Sequence, residues 1–232
     1  MNSVAFGDLE QGIWGLAWGA AVAIGTPDRT ATADAILHAD GASGDWALSG
    51  SALELTLAPH GDAFQDERGF AQLCRVRGRV TLPDGERSID CLGARTAEPL
   101  PDPAQLGSLR QVLAWFEPDL GLALSAARPR RARGQESDQV RAGVLEGGGA
   151  TSVIDPRLST TYAADGTPLR AGLELWLGEE EGEQYPRRAA GEAIGPAVSA
   201  DAGEGLTIDA RLFRWHSRGL DGAGVYVLAR PR

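Results

Sequence analysis

Cys74-Arg75-Val76-Arg77-Gly78-Arg79-Val80-Thr81-Leu82, continued by Pro83-Asp84-Gly85-Glu86-Arg87-Ser88-Ile89-Asp90-Cys91, decides the fold class. Cys74, Val76, Gly78, Val80 and Leu82 share one face at period two, while Arg75, Arg77, Arg79 and Thr81 share the other. That alternation is the mark of a half-buried antiparallel strand. Asp84–Gly85 is the residue pair of a type I′ hairpin turn, and a two-residue loop there pairs Val80 with Ile89 and Gly78 with Cys91. Cys74 then lies four positions further on, roughly 13 Å from Cys91 at strand rise. A disulfide needs Cα atoms within about 7 Å, so the two cysteines are expected to be reduced core thiols on one face.

The pattern repeats outward. Leu53, Leu55 and Leu57 alternate with Glu54 and Thr56. In Gly12–Gly25, Trp14, Leu16, Trp18, Ala20, Val22 and Ile24 take one side, and the other carries Ile13 and small residues. A bulky face backed by small residues suits a curved or closely approached sheet. Asp165–Gly166 is a second hairpin signal, setting Leu158 opposite Leu173 and Tyr162 opposite Leu169. Asp221–Gly222 is a third, setting Trp215 opposite Leu228 and Ser217 opposite Tyr226. Asp102-Pro103-Ala104-Gln105 opens like a helix, with Leu106, Leu109, Leu113 and Phe116 at helical spacing. From Leu109 the same residues also read as a strand that turns at Pro118–Asp119 into Leu120–Ala127, and this reading is preferred because Leu120, Leu122 and Leu124 alternate and need a neighbour. Glu98–Gln105, Arg128–Asp138, Glu146–Ala150 and Glu179–Gly205 are expected loops, the last long enough to be a lid or a mobile crossover.

Composition narrows the function. The 232 residues (24.3 kDa) carry a net charge of −10 and a sequence pI near 4.8, which argues against nucleic acid or an anionic membrane as partner. Gly 31 and Pro 13 are too many for a helical bundle, and a hydrophobic fraction of 43% with six Trp excludes wholesale disorder. All 22 basic residues are Arg, which removes Schiff-base and Walker-lysine chemistry. Three His and two Cys leave little for a metal cluster, so neither metal nor cofactor is expected. Gly12–Gly25 is shorter than the ~20 residues of a spanning helix. It also lacks the basic n-region of a signal peptide, so a cytoplasmic protein is expected.

Candidate constellations are few. Arg128-Pro129-Arg130-Arg131-Ala132-Arg133 offers guanidiniums for a phosphate or carboxylate, or is a solvated hairpin end offset by Glu136 and Asp138. Glu179–Glu181 with Glu183 lacks the spacing of a calcium loop and reads as a solvated face. His60, Asp62, Asp66 and Glu67 share one connection, as a metal or acid–base pair would, though with one nitrogen ligand between them. Trp215 and His216 are consecutive on a strand and so face opposite ways, as do His216 and Ser217. The aromatic set is the better candidate: Trp14, Trp18, Trp115, Trp176 and Trp215, with His216, are the residues expected to line an apolar interior and bind ligand.

Gly12-Ile13-Trp14 on a long early strand is similar to the Gly-x-Trp signature of lipocalin-like barrels. An Arg near the last strands, Arg214 or Arg218, would cover that Trp as the family's late Arg does. The Trp-rich all-β chain resembles the double lipocalin-like (calycin) group that includes carotenoid hydratase and AttH-type proteins. The resemblance implies a structural Trp14 and carries over no catalytic residue.

The expected fold is all-β, an antiparallel barrel or two-sheet sandwich of about ten to twelve strands, with a short helix near 103–116 as one option. It is read as one domain over 1–232, or as β subdomains over 1–127 and 139–232. Three functions follow. One is a binding protein for an apolar or amphipathic small molecule. Another is a cofactor-independent hydratase, isomerase or cyclase using a buried carboxylate or His216. The third is an assembly protein closing a homo-oligomer with its tryptophans. An ionisable side chain facing the cavity separates the enzyme from the binder, and His216 and Glu174 are the residues set against the leucine-rich faces.

Overall fold

A computed structural model describes residues 1–134, 138–178 and 186–232. It is all-β, and its strands run antiparallel throughout. The first sheet contains β1 (Asn2–Asp8), β2 (Ile13–Trp18), β3 (Ala21–Gly25), β4 (Thr30–Thr32), β5 (Ala35–His38), β6 (Trp46–Gly50), β7 (Leu53–Pro59), β8 (Phe64–Asp66), β9 (Gly69–Leu82) and β10 (Gly85–Ala97). Its order is β4-β3-β2-β1-β10-β9-β7-β6-β5, with β8 on β9. The edge strands β4 and β5 are joined by residues 33 and 34 alone, which brings the edges within about 11 Å. The sheet therefore curls into a half-barrel whose edge strands meet at that corner without pairing.

The second sheet contains β11 (Leu106–Phe116), β12 (Leu120–Pro129), β13 (Gln139–Glu146), β14 (Gly149–Tyr162), β15 (Pro168–Leu177), β16 (Arg187–Gly203), β17 (Leu206–Ser217) and β18 (Leu220–Pro231). It closes on itself through β11 and β18.

Alternation distributes the apolar residues over three layers. Val4, Phe6, Leu55, Leu57, Cys74 and Val76 fill the first barrel. Val112, Leu122, Val144, Leu173, Trp215 and Tyr226 lie inside the second. Between the two, Trp14, Leu16, Trp18, Leu73 and Leu92 of the first sheet meet Leu113, Trp115, Leu145 and Leu212 on the outside of the second barrel. Close approach there depends on glycine. A Cβ at Gly121 would lie 2.6 Å from Leu73 Cδ2, and one at Gly143 2.6 Å from the Phe64 ring. The missing side chains are sockets for those two knobs.

The hairpin registers differ from expectation in an informative way. Leu158 does face Leu173, but Tyr162 pairs with Pro168 across a bulge. Val80 pairs with Arg87 and Gly78 with Ile89, because Pro83–Asp84 rather than Asp84–Gly85 forms the two-residue loop. Trp215 pairs with Gly222 and Ser217 with Leu220. There Arg218 and Gly219 take φ of 50° and 80°, making the left-handed turn that Asp221–Gly222 was expected to make. Both slips are even, two and six residues, so every side chain keeps its face. Cys74 thus sits two residues from Cys91's partner Val76, nearer than expected, and both thiols are free and buried.

Two further segments are decided, the first for the strand reading and the second against the expected loop. The helical option near 103–116 shrinks to one turn: Asp102 accepts from the amides of Ala104, Gln105 and Leu106, and β11 begins at Leu106. The loop over Glu179–Gly205 is largely strand, since β16 spans Arg187–Gly203. Its Ala- and Gly-rich sequence hid it; those small residues give room to bulky neighbours, as where the Trp215 indole lies over Gly191. The acidic run at 179–181 and 183 lies outside the described residues. No described helix is long and apolar enough to cross a membrane.

Candidate functional site

The wall of the second barrel is incomplete on one side. β13 and β14 pair only over Gly143–Glu146 and Gly149–Ser152. Beyond that, β14 runs on to Tyr162 with β15 beside it, while Gln139–Ala142 of β13 pair with β12. An open cavity of about 1070 Å³ has this slot among its walls.

One part of its lining is the inward row of the barrel: Val140, Leu158, Leu173, Ala189 and Ser217. Leu173 and Ala189 belong to the barrel core, and Val140 and Leu158 pack against it. The other part is the outward row and rim: Asp155, Arg157, Ser159, Glu174, Arg188 and His216. Most of the rim charges are paired, Asp155 with Arg157 at 2.8 Å and Glu174 with Arg188 at 3.1 Å.

Deeper in the lining, Asp138 is nearly buried, its side chain 4% exposed, and is shared by two guanidiniums. Arg110 donates to it through Nη2, and Arg128 through Nη1 at 3.3 Å. Arg110 Nε is buried with no hydrogen-bond partner. Tyr226 points inward nearby, its hydroxyl 2.9 Å from Thr160 Oγ1. Burial pushes that phenol well above its ordinary range, so it stays protonated.

The residues expected to line one aromatic interior are spread over different layers. Trp14, Trp18 and Trp115 lie between the two barrels, where Trp18 Nε1 donates to Gln111 Oε1 at 2.9 Å and Trp115 Nε1 to the Gly7 carbonyl at 3.1 Å. Trp215 lies inside the second barrel, stacked with Phe213 at 5.8 Å, its indole nitrogen buried without a partner. Trp176 is half-buried on the alternate face of β15. His216 does line the cavity, from the outer row, with its Nδ1 3.1 Å from Asp221 Oδ1.

The His60 constellation disperses. His60 Nε2 meets Asp119 Oδ1 at 2.8 Å, and Asp66 accepts from Arg141 at 2.7 Å. Among the described residues no group of His, Cys, Asp and Glu could hold a metal ion.

The Gly-x-Trp arrangement exists, but elsewhere. Arg214 is exposed on β17. The Trp covered by an Arg is Trp46 of Gly44-Asp45-Trp46, with Arg95 5.0 Å from the ring centroid. Arg95 is fully buried and donates to the carbonyls of Ala42, Gly44 and Leu57 and to Gln72 Oε1. Its position on β10, the last strand of the first sheet in sequence, was the missed signal.

Sequence reasoning also missed Arg110 and Asp138 as a pair. They are 28 residues apart on different strands, and only barrel closure brings them together.

A half-barrel sheet followed by a closed eight-stranded barrel, with a Gly-x-Trp and a covering Arg in the first, defines the architecture. No protein-family model matches the sequence, and no curated protein matches it. Solved structures do share the fold. Kievitone hydratase from Nectria haematococca superposes with a TM-score of 0.62 at 7% identity, over 99% of this chain and 88% of that one. CghA gives 0.64 at 11%, over 99% and 88%. A putative AttH protein from Nitrosomonas europaea gives 0.62 at 11%, over 98% and 91%. What the chain shares with these structures is the fold.

Proposed function

We propose that this protein binds a small amphipathic molecule in the cavity of its second barrel, with entry through the slot between β13 and β14. The observation carrying this reading is the cavity itself, about 1070 Å³ with an apolar inward row and a charged rim. That size and lining suit a drug-sized ligand, which needs apolar walls for affinity and a few polar groups for orientation. Another cavity, lined by Gly12, Ile24, Pro27 and Leu82 of the first sheet, is about 340 Å³, a third of that volume.

The test uses N-phenyl-1-naphthylamine, a neutral apolar dye whose fluorescence rises on burial. One dye should bind per chain, and Ala189→Phe, which projects a ring into the cavity, should abolish binding while the circular dichroism spectrum is unchanged. Undiminished binding in A189F would place the site elsewhere.

A second reading, favoured by the fold shared with kievitone hydratase, is cofactor-independent hydration of the bound molecule. Water would add across a C=C bond, its proton to one carbon and its hydroxyl to the other. Asp138, the buried carboxylate of the lining, is the group placed to handle the proton. A bound olefin recovered after incubation with its mass raised by one water would support this reading. Recovery unchanged would leave the binding function alone.

A further inference from the structure

We propose that β5, an edge strand of the first sheet, pairs antiparallel with β5 of a second copy of this chain, on a two-fold axis through Ile36. The proposal is independent of the cavity. β5 (Ala35–His38) bonds to β6 alone, and β4, on the other side of the chain corner, bonds to β3. The outer edge of β5 therefore presents backbone N–H and C=O groups that no described strand takes up. Such an edge is a template for another strand. No proline interrupts residues 32–40, so every amide along it keeps its N–H.

The side chains make this edge complementary to itself. Ala35 and Leu37 turn inward and pack against the core of the first sheet, which leaves Asp34, Ile36 and His38 on the outer face. Ile36 is 63% exposed, and among the described residues neither Asp34 nor His38 is bonded to a partner. With the axis through Ile36, each Ile36 lies opposite the other, and Asp34 lies opposite the partner's His38 on both sides. An imidazole N–H donates to a carboxylate, and directly opposed pairs of opposite character favour the pairing. Ala35 then meets the partner's Leu37 on the inner face. Other registers lose these matches. A slip of two residues sets Asp34 against either the partner's Asp40 or the partner's Ile36. A slip of one turns the partner's inward face outward. With only the four residues of β5 in regular strand, the contact is small and the dimer a weak one.

The test is sedimentation velocity of the full chain over loading concentrations from about 5 to 500 μM, the range of small interfaces. Salt at about 150 mM screens the repulsion between two chains of net charge −10. The wild type should pass from monomer to dimer across the series. Ile36→Lys sets two ammonium groups against each other on the axis and should hold the chain monomeric, its circular dichroism spectrum unchanged. His38→Asp should weaken the dimer about tenfold, because carboxylates then face carboxylates on both sides. The double variant Asp34→His/His38→Asp exchanges the two groups across the axis and should restore the dimer. A wild type that stays monomeric throughout would overturn the proposal, whatever the variants do. A dimer persisting in I36K, or one that a folded D34H/H38D fails to restore, would overturn it as well. Dye binding in the second barrel is measured separately and stands or falls by itself.

Discussion

Arg95 in the first barrel and Arg110 in the second show how differently two similar frameworks use a buried guanidinium. Arg95 is fully buried, and the bonds it donates end on three carbonyls, Ala42, Gly44 and Leu57, and on Gln72. Its plane sits over Trp46, and desolvation lowers its pKa without depriving it of charge at any ordinary pH. Arg110 stands at an open cavity with one arm on Asp138 and Nε unused. A saturated guanidinium is a structural plug. Arg110 instead shares one carboxylate with Arg128 and leaves a buried donor unmatched.

The sharpest way to break this comparison is to remove each arginine in turn. Arg95→Ala leaves buried carbonyls and the Gln72 amide oxygen without their donor, and should cost about 3 kcal/mol or more, read as a fall in the urea midpoint. Arg110→Gln takes one of two guanidiniums from the nearly buried Asp138 carboxylate, which keeps Arg128, and should cost roughly 1–3 kcal/mol, less than the loss of Arg95. Equal losses would mean that Arg110 is as structural as Arg95.

Overpacking sharpens the contrast from the apolar side. Val76 lies fully buried in the first barrel, so Val76→Phe should destabilise by roughly 1–3 kcal/mol. Ala189→Phe, beside the cavity, should stay within about 1 kcal/mol because the ring has space to enter. Thermal unfolding of the two variants side by side gives the answer.

The smallest effect concerns the thiols, which belong to the first barrel alone. Burial pushes both Cys74 and Cys91 up to about 12 from an ordinary 9.0. With folded values above unfolded ones, their contribution is fully present below pH 9 and is lost as pH rises towards 12. Near pH 10 the loss should be about 1 kcal/mol for each thiol. A Cys74→Ala/Cys91→Ala variant should show a shallower decline of urea midpoint over that window. A decline as steep as in the wild type would assign it to other groups.

Much of the fold was legible because period two survives errors of register. Slips of two residues at Val80 and six at Trp215 left both on their expected faces. Turn residues misled because each hairpin holds a second dipeptide able to make a tight turn, and packing chose Pro83–Asp84 and Arg218–Gly219. β16 was missed because a strand made of Ala and Gly shows no hydrophobic alternation until its partner is known. The site was the least legible part. Six tryptophans look alike in sequence, yet Trp14, Trp18 and Trp115 seal a seam while Trp215 lies inside a barrel. The Arg110–Asp138 contact spans two strands, and the slot is an absence of pairing between β13 and β14, which no local pattern encodes.

Methyl NMR during a titration with N-phenyl-1-naphthylamine tests the central claim most directly. With the guest in the second barrel, shifts should be confined to Val140, Leu158, Leu173 and Ala189, leaving Leu55, Val76 and Val80 of the first barrel and Leu73 and Leu113 of the seam unmoved. Shifts centred on either of those latter groups would contradict it.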